Sequence, residues 1–423
     1  MEILSLGSTG PDVKLVQSLL NRIGYNAGAV DGIFGSITRQ AVIQFQMNNG
    51  LTADGVVGPQ TWAVFERLLR GYDIYTIRPG DTFYKIARRY YTTVNAILTA
   101  NPGINPNMLI PGQRIVVPYG IDIVFDDIDY TYEIIERQIQ GLKVRYPFLE
   151  TGTIGRSVMG KNLYYIRLGR GGRQVSYNGA HHANEWITTP LLMKFIENYS
   201  KAYSTGGSIR GYNIPQLYNT SSIYIVPMVN PDGVDLVNYW PNYTDPAYRQ
   251  AALLNKTGLP LPWVWKANIR GVDLNVNYPA SWEKEKQNQI EQGITGPAPR
   301  DYGGEEPLSE PETIAMANFT RNHNFNMVIA YHTQGEVIYW QFENLAPPES
   351  ITIGNIFSEI SGYALVGGPG EAAYAGYKDW FIQEYGRPGF TIEVGRGTNP
   401  IPISQFPVIY RQNEEILLLS PLL

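Results

Sequence analysis

The sequence contains no cysteine, which excludes disulfides, thiolate nucleophiles and any metal site with sulfur ligands. Histidine is nearly as scarce. His181, His182, His323 and His332 are the only four, so a histidine-based metal centre must be drawn from them. No apolar run reaches the roughly 18 residues of a membrane-spanning helix. The opening MEILSLGSTG has neither the basic start nor the apolar stretch of a secretory signal. Basic excess is missing too: 33 Lys and Arg against 38 Asp and Glu leave a net charge of −5. That gives no electrostatic footprint for nucleic acid or an anionic membrane. What is present is a chain 43% hydrophobic and 17% charged, a balance that rules out wholesale disorder and permits sizeable cores. At 423 residues it is too long for one ordinary domain, and two or three are expected. Thirty tyrosines, 43 glycines and 29 prolines predict turn-rich architecture with aromatic surfaces suited to sugars or peptides, although tyrosine also fills ordinary cores.

The first seventy residues contain an internal echo. Asp31-Gly32-Ile33-Phe34-Gly35-Ser36-Ile37-Thr38 returns 23 residues later as Asp54-Gly55-Val56-Val57-Gly58-Pro59-Gln60-Thr61. Each copy reads as a glycine turn feeding a helix, with Ser36 or Thr38 and Thr61 placed to cap the helix starts. Helical apolar spacing follows at Val13, Val16, Leu19, Leu20 and Ile23, at Ala41, Val42 and Phe45, and at Trp62 and Phe65. A small all-α, three-helix domain over residues 1–70 is expected. With its Leu6 to Leu20 opening, the segment resembles the peptidoglycan-binding domain of bacterial wall hydrolases.

Residues 71–119 form a second unit. Ile74 to Ile77 reads as a strand, Gly80-Asp81-Thr82 as a turn and helix cap, Val94 to Ala100 as a second helix, and Gln113 to Pro118 as a closing strand. The order of Tyr75-Thr76-Ile77-Arg78-Pro79-Gly80-Asp81-Thr82, Ile86-Ala87, Asn101-Pro102 and Leu109-Ile110-Pro111-Gly112-Gln113 resembles a βααβ LysM domain. That family binds N-acetylglucosamine-containing glycans, which implies peptidoglycan or chitin. Two weak wall-binding modules in tandem raise the effective concentration of whatever follows them.

Residues 120–423 alternate strand-like and helix-like stretches. Gln174–Asn178, Ile223–Pro227, Met327–Tyr331 and Gly389–Val394 read as strands, and Thr188–Tyr199 as a helix. Ser309-Glu310-Pro311-Glu312 reads as a capping box opening a helix over Thr313–Thr320. The expected fold is an α/β domain with a mixed central sheet and helices on both faces. Ligand sites in such sheets lie beyond the carboxyl ends of the strands, and chemically capable residues stand there. Gly179-Ala180-His181-His182-Ala183-Asn184-Glu185 follows the first strand, and His332-Thr333 follows the third. Two imidazoles and a carboxylate would leave zinc an open position for water.

Further separated motifs occur in the third segment: Asn230-Pro231-Asp232-Gly233, Gly271-Val272-Asp273-Leu274-Asn275-Val276-Asn277-Tyr278, Ser309-Glu310-Pro311-Glu312-Thr313 and Phe390-Thr391-Ile392-Glu393-Val394. Their order resembles the M14 zinc carboxypeptidase family over nearly the whole segment. The resemblance implies a metallopeptidase binding one Zn2+ per chain through His182, Glu185 and His332, with His181 a bystander. It implies that Asp273 orients the first ligand histidine and that Glu393 is the catalytic carboxylate. A carboxylate there can take a proton from the attacking water and return it to the leaving amine. The cation for the tetrahedral intermediate would be Arg270 or Lys266, the family register lying nearer Lys266. The substrate-contacting tyrosine would be Tyr374 or Tyr377, and either could equally be core.

One position departs from the family. Where its exopeptidases carry an Asn-Arg pair that grips the substrate's terminal carboxylate, this chain keeps Asn275 but has Val276. Losing a bidentate guanidinium removes a charge-assisted contact worth a few kcal/mol. Together with the wall-binding modules, the departure resembles the peptidoglycan-directed γ-D-glutamyl-L-diamino-acid endopeptidases of sporulating bacilli. Those cut the stem peptide between D-Glu and meso-diaminopimelate or lysine. Substrate carboxylates would then need another cation, with Arg396 and Arg387 the candidates. Two other readings are a general metallocarboxypeptidase and an inactive wall-binding protein. The first is weakened by Val276, the second by the intact His182, Glu185, His332 and Glu393 set. The expected partners are peptidoglycan strands and stem peptides, with neither nucleic acid nor membrane, and the expected state is a monomer. The expected location is the cell wall or the spore, with synthesis in the cytoplasm or mother cell.

Overall fold

Three helices, α1 (Pro11–Arg22), α2 (Ser36–Asn48) and α3 (Pro59–Arg70), organise the start of the chain in the computed structural model, which describes residues 2–367 and 374–423. The apolar positions read from the helical spacing are buried, except for the half-buried Ile23. The echo has a cause that the hydroxyl-cap expectation missed. Gly35 and Gly58 occupy the caps of α2 and α3, and no side chain caps either helix. Thr38 and Thr61 are drawn inward instead, to a buried glutamine from the preceding helix. Gln17 donates to Asp31 Oδ1 (2.9 Å), Ile33 O (3.1 Å) and Thr38 Oγ1 (3.2 Å), and accepts from Gly32 N (2.9 Å). Gln46 repeats all four bonds with Asp54 (2.9 Å), Val56 (2.9 Å), Thr61 (3.1 Å) and Gly55 (2.9 Å). Both turn glycines sit at positive φ, +77° and +74°, where a side chain would be strained. A buried amide with every bond made costs little and fixes the loop.

The next element pair is the antiparallel β1 (Tyr72–Thr76) and β2 (Arg114–Pro118), enclosing α4 (Phe83–Arg89) and α5 (Val94–Ala100). Thr82 caps α4 by accepting from Lys85 N (3.2 Å), as its position predicts, and Thr93 caps α5 through Ala96 N (3.0 Å). Tyr75, Ile77, Phe83, Ile86, Ile97, Ile115 and Val117 form the core. Asn101 ties the end of α5 to β2 by donating to Val116 O (2.7 Å) and accepting from Val116 N (2.8 Å).

The chain packs as two units. One comprises Met1–Asp129, Glu133–Glu150 and Ser200–Gly206, the other Tyr130–Tyr132, Thr151–Tyr199 and Gly207–Leu423. Residues 120–129 and 133–150, read from sequence as part of the third segment, thus pack with the first unit. The second unit is built on eight strands: β3 (Glu150–Arg156), β4 (Asn162–Gly169), β5 (Arg173–Asn178), β8 (Ser221–Val226), β9 (Phe325–His332), β10 (Val337–Tyr339), β11 (Ala364–Val366) and β12 (Gly389–Glu393). A small hairpin of β6 (Ser208–Ile209) and β7 (Tyr212–Asn213) stands apart from them. The sheet order is β11-β10-β12-β9-β5-β8-β4-β3. The central strands β8, β5, β9 and β12 are mutually parallel, whereas β4 and β10 run antiparallel to their inner neighbours. Of the central strands, β8 and β9 carry largely apolar, buried runs, as strands covered on both faces do, whereas β5 mixes polar residues with its buried Val175 and Tyr177. Their carboxyl ends carry Val226, Asn178, His332 and Glu393, and the register pairs Glu393 directly with His332.

The capping box is a correction. The helix Pro311–Arg321 has Glu310 at its cap position and no side-chain cap bond. Ser309 Oγ turns to Glu310 Oε1 and Asn277. Glu312 is fully buried, accepting from Val158 N (3.0 Å) and Asn268 Nδ2 (3.3 Å). A prediction follows from that burial. Desolvation, the largest effect, with Asp232 adding to it, pushes the Glu312 carboxyl up to about 7 from 4.5, although the bonds from Val158 and Asn268 oppose the rise. The folded chain therefore binds more protons than the unfolded chain between those values, and stability falls as pH rises through that window. Glu312→Gln should remove this slope. Urea unfolding should show the variant gaining on the parent by about 2 kcal/mol between pH 5 and pH 8. Parallel pH profiles would contradict the assignment.

Candidate metal centre

The loop after β5 turns back through a single 3₁₀ turn, Ala183–Glu185. Thr188 Oγ1 fixes it by accepting from Ala180 N (2.8 Å) and donating to Glu185 O (2.9 Å). The turn brings His182 and Glu185 to one point, and the end of β9 delivers His332 to the same point. His182 Nδ1 lies 2.9 Å from Glu185 Oε1, His332 Nδ1 lies 2.9 Å from Glu185 Oε2, and the two Nδ1 atoms are 3.3 Å apart. All three residues are buried.

This donor set fits a divalent metal. His182 Nε2 faces Asp273 Oδ1 at 3.1 Å, and a neutral imidazole donating there leaves the Nδ1 lone pair against a carboxylate oxygen. Two acceptors in buried contact repel unless a cation stands between them. A proton can serve: burial lowers the His182 pKa, but Glu185 and Asp273 outweigh burial and Lys266, lifting it to about 9. A metal ion does the same with more charge and displaces that proton. Burial would raise the Glu185 carboxyl, yet His182 and Lys266 hold it well below its usual range. Asp273 is likewise depressed, its desolvation outweighed by His182 and Lys266. An imidazole backed by a carboxylate is the usual support of a metal-ligating histidine.

Neighbouring groups pin the ligands. Glu185 Oε2 accepts from Thr333 N (3.1 Å) and Oε1 from Asn399 Nδ2 (3.3 Å). Asn230 Nδ2 donates to His181 O (3.1 Å) and Ala267 O (3.0 Å), and Ala183 N donates to Lys266 O (3.0 Å). The Asn-Pro-Asp-Gly motif thereby clamps the ligand loop to the segment carrying Lys266. His181 points away, its Nε2 3.1 Å from Tyr278 Oη.

Of the two candidate cations, Lys266 lies at the centre, with Nζ 3.1 Å from Glu185 Oε1 and 3.5 Å from His182 Nδ1. Arg270 is half exposed and pairs with Glu310 at 3.5 Å. Glu393 stands beside His332 in register. Burial, then Glu185, pushes its carboxyl up to about 8, with Lys266 and His182 pulling the other way. A carboxyl raised towards neutrality beside metal ligands is suited to passing a proton.

Val276 and Asn275 follow Asp273 on a 3₁₀ turn, Leu274–Val276, and Asn275 Oδ1 accepts from Tyr377 N (3.2 Å). The Tyr374 ring packs edge-on against Phe342 and under Lys284. Tyr377 is buried, with its hydroxyl 2.9 Å from Thr320 Oγ1. Arg396 is 76% exposed and pairs with Glu336. Arg387 donates to Asn324 Oδ1 (2.8 Å) and Phe325 O (2.6 Å), which places it at the amino end of β9, the far end from His332. Sequence reasoning missed Asn399, which lies in a loop without a motif.

A ligand trio at the carboxyl ends of a mixed sheet, backed by a carboxylate and faced by another, defines a class. The zinc carboxypeptidase family profile matches residues 135–415, and the chain belongs to that family. It is a zinc metallopeptidase, carrying in addition a peptidoglycan binding domain over residues 9–65 and a LysM domain over residues 75–118. Among individual proteins, it is 45% identical over 388 residues to gamma-D-glutamyl-L-diamino acid endopeptidase 1 of Lysinibacillus sphaericus, covering 79% of this chain and 96% of that one. Human carboxypeptidase B is 24% identical over 359 residues, covering 78% and 80%. The fold is shared with the crystal structure of thrombin activatable fibrinolysis inhibitor, at a TM-score of 0.53 and 16% identity over 82% of this chain and 97% of that one.

Proposed function

We propose that the protein is a wall-bound zinc endopeptidase that cuts the bond between γ-linked D-glutamate and the diamino acid, meso-diaminopimelate or L-lysine, of peptidoglycan stem peptides. The L. sphaericus relative supports this reading, being an endopeptidase of that name at 45% identity over nearly its full length. The observation that carries the choice of an internal bond is Val276. An aliphatic side chain stands where a terminal carboxylate would need a guanidinium, next to an Asn275 whose side-chain oxygen is already engaged.

In this reading His182, Glu185 and His332 hold the metal and Asp273 fixes the tautomer of His182. When bound, zinc supplies Lewis acidity at the scissile carbonyl and lowers the pKa of water. Glu393 takes the proton of the attacking water and hands it to the leaving amine. Lys266 offsets the charge that develops on the carbonyl oxygen, a contribution worth most in a buried site. The two N-terminal modules hold the enzyme on its insoluble substrate, so a modest affinity at each suffices. The wall-binding modules support location at the wall, and a sporulation role is the finer reading, tested by whether the protein co-purifies with spores.

The test is a blocked terminus. Amidating the C-terminal carboxylate of L-Ala-γ-D-Glu-L-Lys-D-Ala should change kcat/KM by less than about threefold, because no clamp reads that group. An exopeptidase would lose about 100-fold or more.

A further inference from the structure

Arg300 stands in a loop tied to the metal centre from both sides. On one side Lys266 N and Ala267 N donate to Pro299 O at 2.8 and 3.0 Å. On the other, Asp301 N donates to Asp273 Oδ2 at 3.0 Å, and Asp273 N donates to Tyr302 O at 2.8 Å. The residue between is thus fixed next to the cation of the site and next to the carboxylate that orients His182. Its side chain is 53% exposed, and Nε donates to Asp301 Oδ2 at 2.7 Å. Its terminal nitrogens make no other hydrogen bond among the described residues. Burial works against its charge, but the carboxylates of Asp301, Asp273 and Glu185 favour it, and Lys266 feels it. A guanidinium held by one nitrogen, with the rest of its fork open, is prepared to take a carboxylate in bidentate fashion.

A γ-glutamyl bond differs from an ordinary peptide bond in one electrostatic respect. The residue that supplies the scissile carbonyl carries an ionised α-carboxylate three carbons away from it. Lys266 serves the oxygen of that carbonyl, and Arg300 follows Pro299, whose carbonyl is held by the Lys266 and Ala267 amides. We propose that Arg300 is a specificity residue that receives the free α-carboxylate of the γ-linked glutamate and so selects γ-glutamyl over α-linked substrates. This assignment rests on the endopeptidase reading and refines it. Of the cations considered from sequence, Arg387 lies at the far end of β9, and Arg396 has both Nε and Nη2 engaged by Glu336, which leaves less of its fork open than Arg300 has. Asp301 is a positioning residue that orients the guanidinium.

The zinc-loaded full-length enzyme is given two tetrapeptides, L-Ala-γ-D-Glu-L-Lys-D-Ala and the same peptide with the glutamate α-carboxylate converted to the carboxamide. The parent enzyme should prefer the free acid by about 30- to 100-fold in kcat/KM. Arg300→Ala should lose rate on the acid alone, bringing the ratio close to one, and Arg300→Lys should keep part of the preference. Zinc content and Tm, measured alongside, should stay unchanged. The assignment is overturned if Arg300→Ala keeps the parent's preference, or if it loses equally on both peptides, which marks a structural role. A parent enzyme that cuts both equally overturns the assignment but not the endopeptidase reading. One that cuts neither at the γ-glutamyl bond overturns both.

Discussion

Replacing Glu393 with Gln should lower kcat on stem peptide by about 10³-fold or more, at the upper end of what a positioned general base supplies, with KM and zinc content nearly unchanged. The substitution is isosteric and Glu393 makes no ion pair with the ligand trio, so metal and fold should survive it. What disappears is the one carboxylate that is both beside His332 in register and raised towards neutrality. Burial and Glu185 push that carboxyl to about 8 before the metal's charge is added. A divalent cation held by His182, Glu185 and His332 would pull it back down, so the parent's kcat/KM should rise with pH through a value below that one. The variant's residual activity should lack this limb. A Glu393→Gln enzyme within tenfold of the parent would remove the residue from proton transfer.

The second large effect is metal removal. Chelation should abolish cleavage, and stoichiometric zinc should restore it. The apo protein should also melt at lower temperature, because a ligand that binds only the folded chain stabilises it. The structure gives the reason for both: without a divalent ion, His182 Nδ1, His332 Nδ1 and two carboxylate oxygens crowd one buried point. Only a proton and the Lys266 ammonium are then left to separate them. Activity that survives exhaustive chelation, with zinc absent by elemental analysis, would contradict the assignment of the trio.

Much of this centre is legible in the sequence, for a physical reason. His332 and Glu393 end buried parallel strands that announce themselves as largely apolar runs, and His182 and Glu185 stand in the loop just after a third parallel strand. Asp273 lies in an equally recognisable motif. Asn399 reaches Glu185, and the Asp301 amide reaches Asp273, from irregular loops, where no periodicity exists to place them. The short strands β10 and β11, three residues each, are too brief to show alternation. Where reading failed outright, a polar group went inside. Thr38, Thr61 and Glu312 look like helix-start residues by position, but Gln17, Gln46, Asn268 and the Val158 amide hold them in buried networks. A helix-capping rule weighs only local bonds and cannot see those partners.

Digestion of L-Ala-γ-D-Glu-meso-diaminopimelate-D-Ala with the zinc-loaded enzyme, followed by mass spectrometry of the products, separates an endopeptidase from an exopeptidase. A single cut at the γ-glutamyl bond should give two dipeptides, L-Ala-γ-D-Glu and diaminopimelate-D-Ala. Release of free D-Ala, with the tripeptide left behind, would show a carboxypeptidase and contradict the endopeptidase reading.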